Sequence, residues 1–332
     1  MKKSLGDNLR VISFISASGG VGKTKLSLLF SCFLKKMFHS KVLLIDLDPS
    51  AAASMSILED TELEDCMDWK SLARMMELSK KQSVRFQDYK MDPMIYRERI
   101  DFLAPGDTEQ VVEMVNEFWK SASAGAEFLE SFERIIPVKD YDFIIFDTIP
   151  FFDPRYTQLV LYPSDYIIIP LWANLVDLKR TDRMLDRLSE ELRHKIRFNN
   201  LGISEGQFMK DNIFYGFNMV PSKKAREAQF VRYYLTKKYK PKVMDRLYRE
   251  SNKKDFEIKN FDEMKGKTKE RARSLEHHAE KLDNKITLIP SYIGNYISID
   301  RFPHDRDEIN KDALDIATSF LNGIYDLIFK KI

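Results

Sequence analysis

The stretch Ser16-Ala-Ser-Gly-Gly-Val-Gly-Lys-Thr24 stands between an apolar run, Val11-Ile-Ser-Phe-Ile15, and an amphipathic segment from Lys25 to Lys36. Three glycines within four positions, Gly19, Gly20 and Gly22, remove the Cβ atoms that would hold the backbone open. The chain must therefore pass from strand to helix through a narrow loop whose N–H groups converge. The helix that follows directs its positive end into the same loop. Converging N–H donors, a lysine and a hydroxyl select an anion with several oxygens: Lys23 is placed for the β and γ phosphates of a nucleotide, and Thr24 for Mg²⁺. The general pattern G-x-x-x-x-G-K-[ST] has a glycine where Ala17 stands, and a glycine-rich surface turn is the alternative reading of the loop alone.

Two later segments bear on that choice. Lys41-Val-Leu-Leu-Ile-Asp-Leu-Asp-Pro49 is an apolar run ending in carboxylates at i and i+2, which an extended strand end points to one side. Tyr141-Asp-Phe-Ile-Ile-Phe-Asp147 is a second buried-strand pattern that closes on a carboxylate. Asp46, Asp48 and Asp147 can hold Mg²⁺ through its waters and orient a water for attack, although strand-end capping is the plainer role for Asp46 and Asp147.

These segments resemble the motifs of the ParA/MinD group of deviant-Walker ATPases, and ParA more than MinD. Ser18-Gly-Gly-Val-Gly-Lys-Thr24 is similar to the family's KGGVGKT loop, Leu44-Ile-Asp-Leu-Asp-Pro49 to its switch segment, and Asp142-Phe-Ile-Ile-Phe-Asp-Thr148 to its third motif. Ser164-Asp-Tyr-Ile-Ile-Ile-Pro170 and the stretch from Leu288 to Asp300 match later strands. The resemblance implies an α/β fold, a P-loop NTPase with a mostly parallel central sheet flanked by helices. It also implies ATP/ADP and Mg²⁺ as cofactors. Nucleotide contacts fall on Ser18, Gly19, Gly20, Val21, Gly22, Lys23, Thr24 and Lys25, metal support on Thr24, Asp46 and Asp147, and catalysis on Lys23 and Asp48, the latter positioning the attacking water. Asn218 and Pro290 stand where the family grips adenine, although an Asn ending a strand is commonly a turn former.

Ser18 departs from the pattern. In most of the family that position is a lysine that crosses an ATP-bound dimer to the partner's phosphates, and serine cannot deliver the charge. Lys179 is the first choice as a replacement cation, followed by Arg180 and Arg155; solvated helix charges are the plainer reading of the first two. The implied function is DNA partition or cargo positioning by an ATP-dependent homodimer. It would bind nonspecific DNA and be released when a ParB-like or adaptor protein stimulates slow hydrolysis. A nucleotide-dependent scaffold that barely hydrolyses ATP, and a MinD-like membrane-associated ATPase, are alternatives. A metabolic P-loop enzyme lacks support, with no cluster-ligating cysteine pair and no acceptor-site motif.

A length of 332 residues admits one large or two ordinary domains, and the family match favours a single domain over 1–332 with a charged, helical insertion near 241–285. Cys32 and Cys66 have no metal or redox spacing, which fits a reducing cytoplasm. The N-terminus lacks a signal-peptide core, no apolar run approaches the ~20 residues of a membrane span, and ten residues before the first strand leave no room for a helix-turn-helix domain. Residues 59–99 carry an acidic patch, Glu59 to Asp68, and a helix is expected over 68–78 as a solvated excursion. Asp107 or Thr108 caps the next helix. His277 and His278 read as surface residues rather than a metal site.

Net charge is only +2, but from Lys223 to Lys254 twelve Lys or Arg stand against three acidic residues, interleaved with Phe230, Tyr233, Tyr234 and Tyr239. Such a patch suits phosphate contacts without base reading, with Lys223, Lys224, Arg226, Arg232, Lys237 and Lys238 as the candidates. A solvated helix with snorkelling lysines is the alternative. The last helix, Leu314 to Lys331, has an apolar face at Ile316, Phe320, Ile324 and Leu327 or Ile328. It is expected to pack on the core rather than lie on a membrane. A cytoplasmic, nucleoid-associated location follows.

Overall fold

The computed structural model describes residues 9–95, 97–221, 226–240, 242–243, 267–294, 302–303 and 307–330. The apolar runs become strands: β1 (Arg10–Phe14), β2 (Val42–Asp46), β5 (Asp101–Leu103), β6 (Phe143–Asp147), β7 (Tyr166–Leu171), β8 (Ile213–Val220) and β9 (Thr287–Gly294), with a separate antiparallel pair, β3 (Met94–Ile95) and β4 (Glu98–Arg99). The seven form one sheet in the order β5-β2-β6-β1-β7-β8-β9, and every pairing is parallel. Near-continuous apolar strands are what a sheet covered on both faces requires.

Alternation along each strand divides the core. Ile12, Phe14, Leu44 and Ile145 face a layer built by α1 (Lys23–Phe38) and α12 (Asp307–Ile328). Val11, Ile45, Ile144 and Phe146 face the layer of α4 (Leu72–Leu78), α5 (Thr108–Trp119), α6 (Ala124–Ile135), α7 (Pro154–Leu161), α8 (Leu175–Phe198), α9 (Glu205–Asn212), α10 (Arg226–Lys238) and α11 (Lys267–Lys285). α2 (Ala52–Ile57) and α3 (Asp60–Asp68) follow the β2 turn.

The last helix packs on the core as expected: Phe320, Leu321 and Ile324 are fully buried, and Phe320 occupies the space that a side chain at Gly216 of β8 would need. The expected excursion over 59–99 is a different object. The helix predicted over 68–78 is α4, which starts later, at Leu72, because Ser71 caps it by accepting the Arg74 N–H, and a separate helix, α3, ends at Asp68. Leu72, Met75 and Met76 are buried, so this segment belongs to the core and is not a solvated detour. Of 241–285, only 242–243 and α11 are described; Ala272, Leu275, Ala279 and Leu282 of α11 are buried. Asp107 caps α5 with two hydrogen bonds.

Candidate nucleotide site

The loop between β1 and α1 opens at the carboxyl ends of the strands, where open α/β sheets bind ligands. Gly20 and Gly22 adopt left-handed φ of 71° and 83°. At Gly22 a Cβ would also stand 2.5 Å from the Asn218 side-chain nitrogen, which donates to the Val21 carbonyl at 2.7 Å. Asn218 thus ties the end of β8 to the loop, while its buried Oδ1 has no partner among the described residues. Gly22→Ala combines left-handed strain with this clash and is expected to weaken ATP binding by at least ~5-fold and up to ~150-fold by calorimetry, given roughly 1–3 kcal/mol of backbone cost. Parental affinity in that variant would separate the loop's shape from Asn218.

Asp46 and Asp147 are register partners at the ends of β2 and β6, both fully buried. Asp46 pins the turn after its strand, accepting the Asp48 N–H at 3.0 Å, the Ser54 N–H at 3.2 Å and the Ser54 hydroxyl at 3.1 Å. Burial first, and then the facing Asp147, push its pKa well up. Neither oxygen of Asp147 is seated in a hydrogen bond of good geometry. Burial raises its pKa to about 7, although neighbouring Thr24 and Lys23 hold it down. Lys23 is itself buried, and burial lowers its pKa against the pull of Asp147 and Asp48. Asp48, half-buried in the turn beyond β2, accepts the Ser50 N–H at 2.8 Å.

Two buried carboxylates side by side, one unpartnered and facing a threonine and a lysine, are costly unless a cation or its waters occupy the space. The donor set is all oxygen, as Mg²⁺ prefers.

The structure brings one of the three replacement cations to Ser18, and it is Arg180. The Ser18 hydroxyl donates to Asp177 Oδ1 at 2.5 Å, and Arg180 Nη1 donates to Ser18 Oγ at 3.3 Å. Asp177 is buried; its Oδ2 accepts the Trp172 N–H at 2.9 Å, and its own N–H is capped by Asn174. Lys179, one residue and ~100° earlier on the helix, is turned away. Burial and then the charge of Lys179 lower the His278 pKa, which places Lys179 beside α11. Arg155 is held by Asp153 at 2.5 Å and by Asn116. Asp177 and Trp172, whose ring a Gly20 Cβ would meet at 3.7 Å, are site residues that sequence reasoning missed. Asn174-Leu-Val-Asp177 was readable as a helix start, but not as a contact with Ser18.

Lys25 points out of the loop and donates to the Phe302 carbonyl. Pro290 packs near Gly323 of α12, in the part of β9 alongside Gly216 of β8. Lys223, Lys224 and the side chain of Arg226 lie outside the described residues. Arg232 donates to the Ala228 carbonyl, Lys237 pairs with Glu276 at 2.6 Å and Glu280 at 2.9 Å, and Lys238 pairs with Asp283 at 3.1 Å. Phe230 and Tyr234 are core residues rather than an exposed stacking platform. Among the described residues no cluster of histidine, cysteine and acidic residues could hold a metal on its own, His277 and His278 included.

A family model described as an AAA domain (AAA_31) matches residues 9–199, more than half the chain, and the chain belongs to that family. Its fold is that of the ParA/MinD-type P-loop ATPases. A plasmid partition protein of Borrelia burgdorferi bound to AMPPNP aligns with TM-score 0.54 and 17% identity over 98% of this chain and 100% of that one. Apo McdA of Cyanothece aligns with TM-score 0.61 and 12% identity, covering 96% and 99%. The MinC:MinD cell division complex of Aquifex aeolicus aligns with TM-score 0.52 and 17% identity, covering 95% and 96%. No curated protein sequence matches the chain. No helix among the described residues is long and apolar enough to cross a membrane.

Proposed function

We propose that the protein is a ParA-like ATPase that partitions DNA or positions a cargo. ATP favours a dimer that holds nonspecific DNA, and a ParB-like or adaptor partner stimulates hydrolysis and release. The observation that carries the ATPase reading is the buried Asp147, with no well-formed hydrogen bond to either oxygen, beside Lys23 and Thr24 at the foot of a loop turned by left-handed Gly20 and Gly22. Resemblance to a partition protein and to McdA supports the cargo reading.

Thr24, Asp46 and Asp147 would hold Mg²⁺, which supplies charge neutralisation on the phosphate oxygens. Lys23 and the loop N–H groups bind the triphosphate and stabilise charge as it develops. Asp48, on the turn pinned by Asp46, orients the attacking water. Asn218 offers its free Oδ1 to a ring-amino donor, which favours adenine over a base with a carbonyl there.

Asp48→Ala is expected to retain ATP and to reduce phosphate release by roughly 100-fold or more, leaving an ATP-bound dimer visible by light scattering. Turnover at the parental rate would remove Asp48 from this role. Phosphate release should be measured with and without DNA and with the protein encoded alongside; a protein that binds ATP but never releases phosphate would instead be a nucleotide-dependent scaffold.

A further inference from the structure

The middle of α8 carries a second charged feature that the nucleotide site does not use. Arg180, Arg183 and Arg187 follow one another at i, i+3 and i+7, so they share one face over about 10 Å of helix. All three are exposed, and among the described residues Arg183 and Arg187 have neither an ion pair nor a hydrogen-bonding partner. Two acidic residues of the same helix are engaged elsewhere, Asp182 and Asp186 being bound by Lys285 of α11 at 2.7 and 2.6 Å, and Glu190 and Glu191, one turn beyond Arg187, form no ion pair with it among the described residues.

This arrangement works against the helix. Arginines one turn apart repel each other, and Arg180 and Arg183 stand in the half of α8 nearer its positive end. Packing does not require them either, because Met184, Leu185 and Leu188 supply the buried side. A straight ridge of unpaired guanidiniums matches a polyanion whose charges are themselves arranged in a line. The face offers no apolar stripe for burial among acyl chains, which a membrane-surface helix needs. Lys237 and Lys238 of α10, by contrast, are spent on carboxylates of α11.

We propose that Arg183 and Arg187, running on from the nucleotide mouth along α8, form the surface that holds the backbone of duplex DNA. The assignment rests on the DNA-binding reading above and moves the contact from α10 to α8. Because Arg180 at the head of the ridge touches Ser18 of the phosphate loop, the ridge and the nucleotide share one rigid element.

The test is anisotropy of a labelled random-sequence duplex titrated with the full chain, with ATP and Mg²⁺, across a salt series. Arg183→Ala/Arg187→Ala should weaken binding at least about tenfold near 0.1 M salt. It should also flatten the log–log salt slope by about 1.8 per protomer, with ATP affinity and melting unchanged. Arg183→Lys/Arg187→Lys should restore the slope, and Lys237→Ala/Lys238→Ala should keep nearly parental binding. A ridge variant with parental affinity and slope, or a loss carried by Lys237 and Lys238, overturns the ridge while leaving the DNA reading intact. If the parent binds no duplex under any nucleotide, the DNA reading falls and the ridge with it. Ridge-dependent binding to anionic-lipid vesicles without DNA binding would assign the surface to membrane instead.

Discussion

Arg180→Ala is expected to slow phosphate release by at least about 100-fold while leaving the ATP dissociation constant within a few-fold of the parent. An arginine supplied to a transferring phosphoryl group is worth roughly 10³–10⁵ in rate, and here the guanidinium, among the described residues, makes a single 3.3 Å contact, to Ser18 Oγ. Binding should persist because Lys23 and the loop N–H groups remain. Lys179→Ala should behave like the parent, since that side chain lies beside α11. The Ser18 site makes a sharper version available. In an Arg180→Ala background, Ser18→Lys places an ammonium beside Asp177, where the serine hydroxyl now sits at 2.5 Å. Recovery of even a tenth of the lost rate would show that the two cations serve the same phosphate. Full activity in Arg180→Ala alone would sink the assignment and return the search to Lys179.

What could be read from the residue order, and what could not, divides along sequence separation. The loop, the apolar runs of β2 and β6 and their terminal carboxylates are local patterns, and each falls at the carboxyl edge of the sheet. The choice between Lys179 and Arg180 was not local. It depends on the rotation of α8, which is set by buried Leu178, Thr181 and Leu185 and by an aspartate 159 residues from its serine partner. Ion pairing of a basic run is not local either. Lys237 and Lys238, at the end of α10, are exposed as the sequence suggests, but α11 returns Glu276, Glu280 and Asp283 against them. The segment 59–99 was illegible because buried Cys66 stands among polar residues, apart from Leu72, Met75 and Met76, and only the packed helices show which face is inside.

Asp147→Asn is expected to stabilise the nucleotide-free protein at pH 8 and to abolish magnesium-dependent turnover. Burial raises the folded-state pKa of this carboxyl from 3.8 to about 7. The native state therefore takes up a proton more readily than the unfolded chain, and the ionised group opposes folding. That opposition is absent below about pH 4, grows as pH rises, and is complete above about pH 7. At about 1.4 kcal/mol per pKa unit the ceiling is roughly 4 kcal/mol. The neighbouring Asp46 and the amide's own need for partners reduce the expected net gain to about 1–2 kcal/mol. Denaturant unfolding in EDTA should show the variant ahead at pH 8 and level with the parent near pH 4. In parallel, the rise in melting temperature that ATP and Mg²⁺ give the parent should disappear. An Asn variant less stable than the parent at pH 8 would mean that the carboxylate is satisfied in the folded chain. The strain now attributed to a site built around a cation would then have another source. Gain of stability together with loss of the magnesium response is the signature of a charge kept in the core for its ligand, because no packing or capping role predicts both.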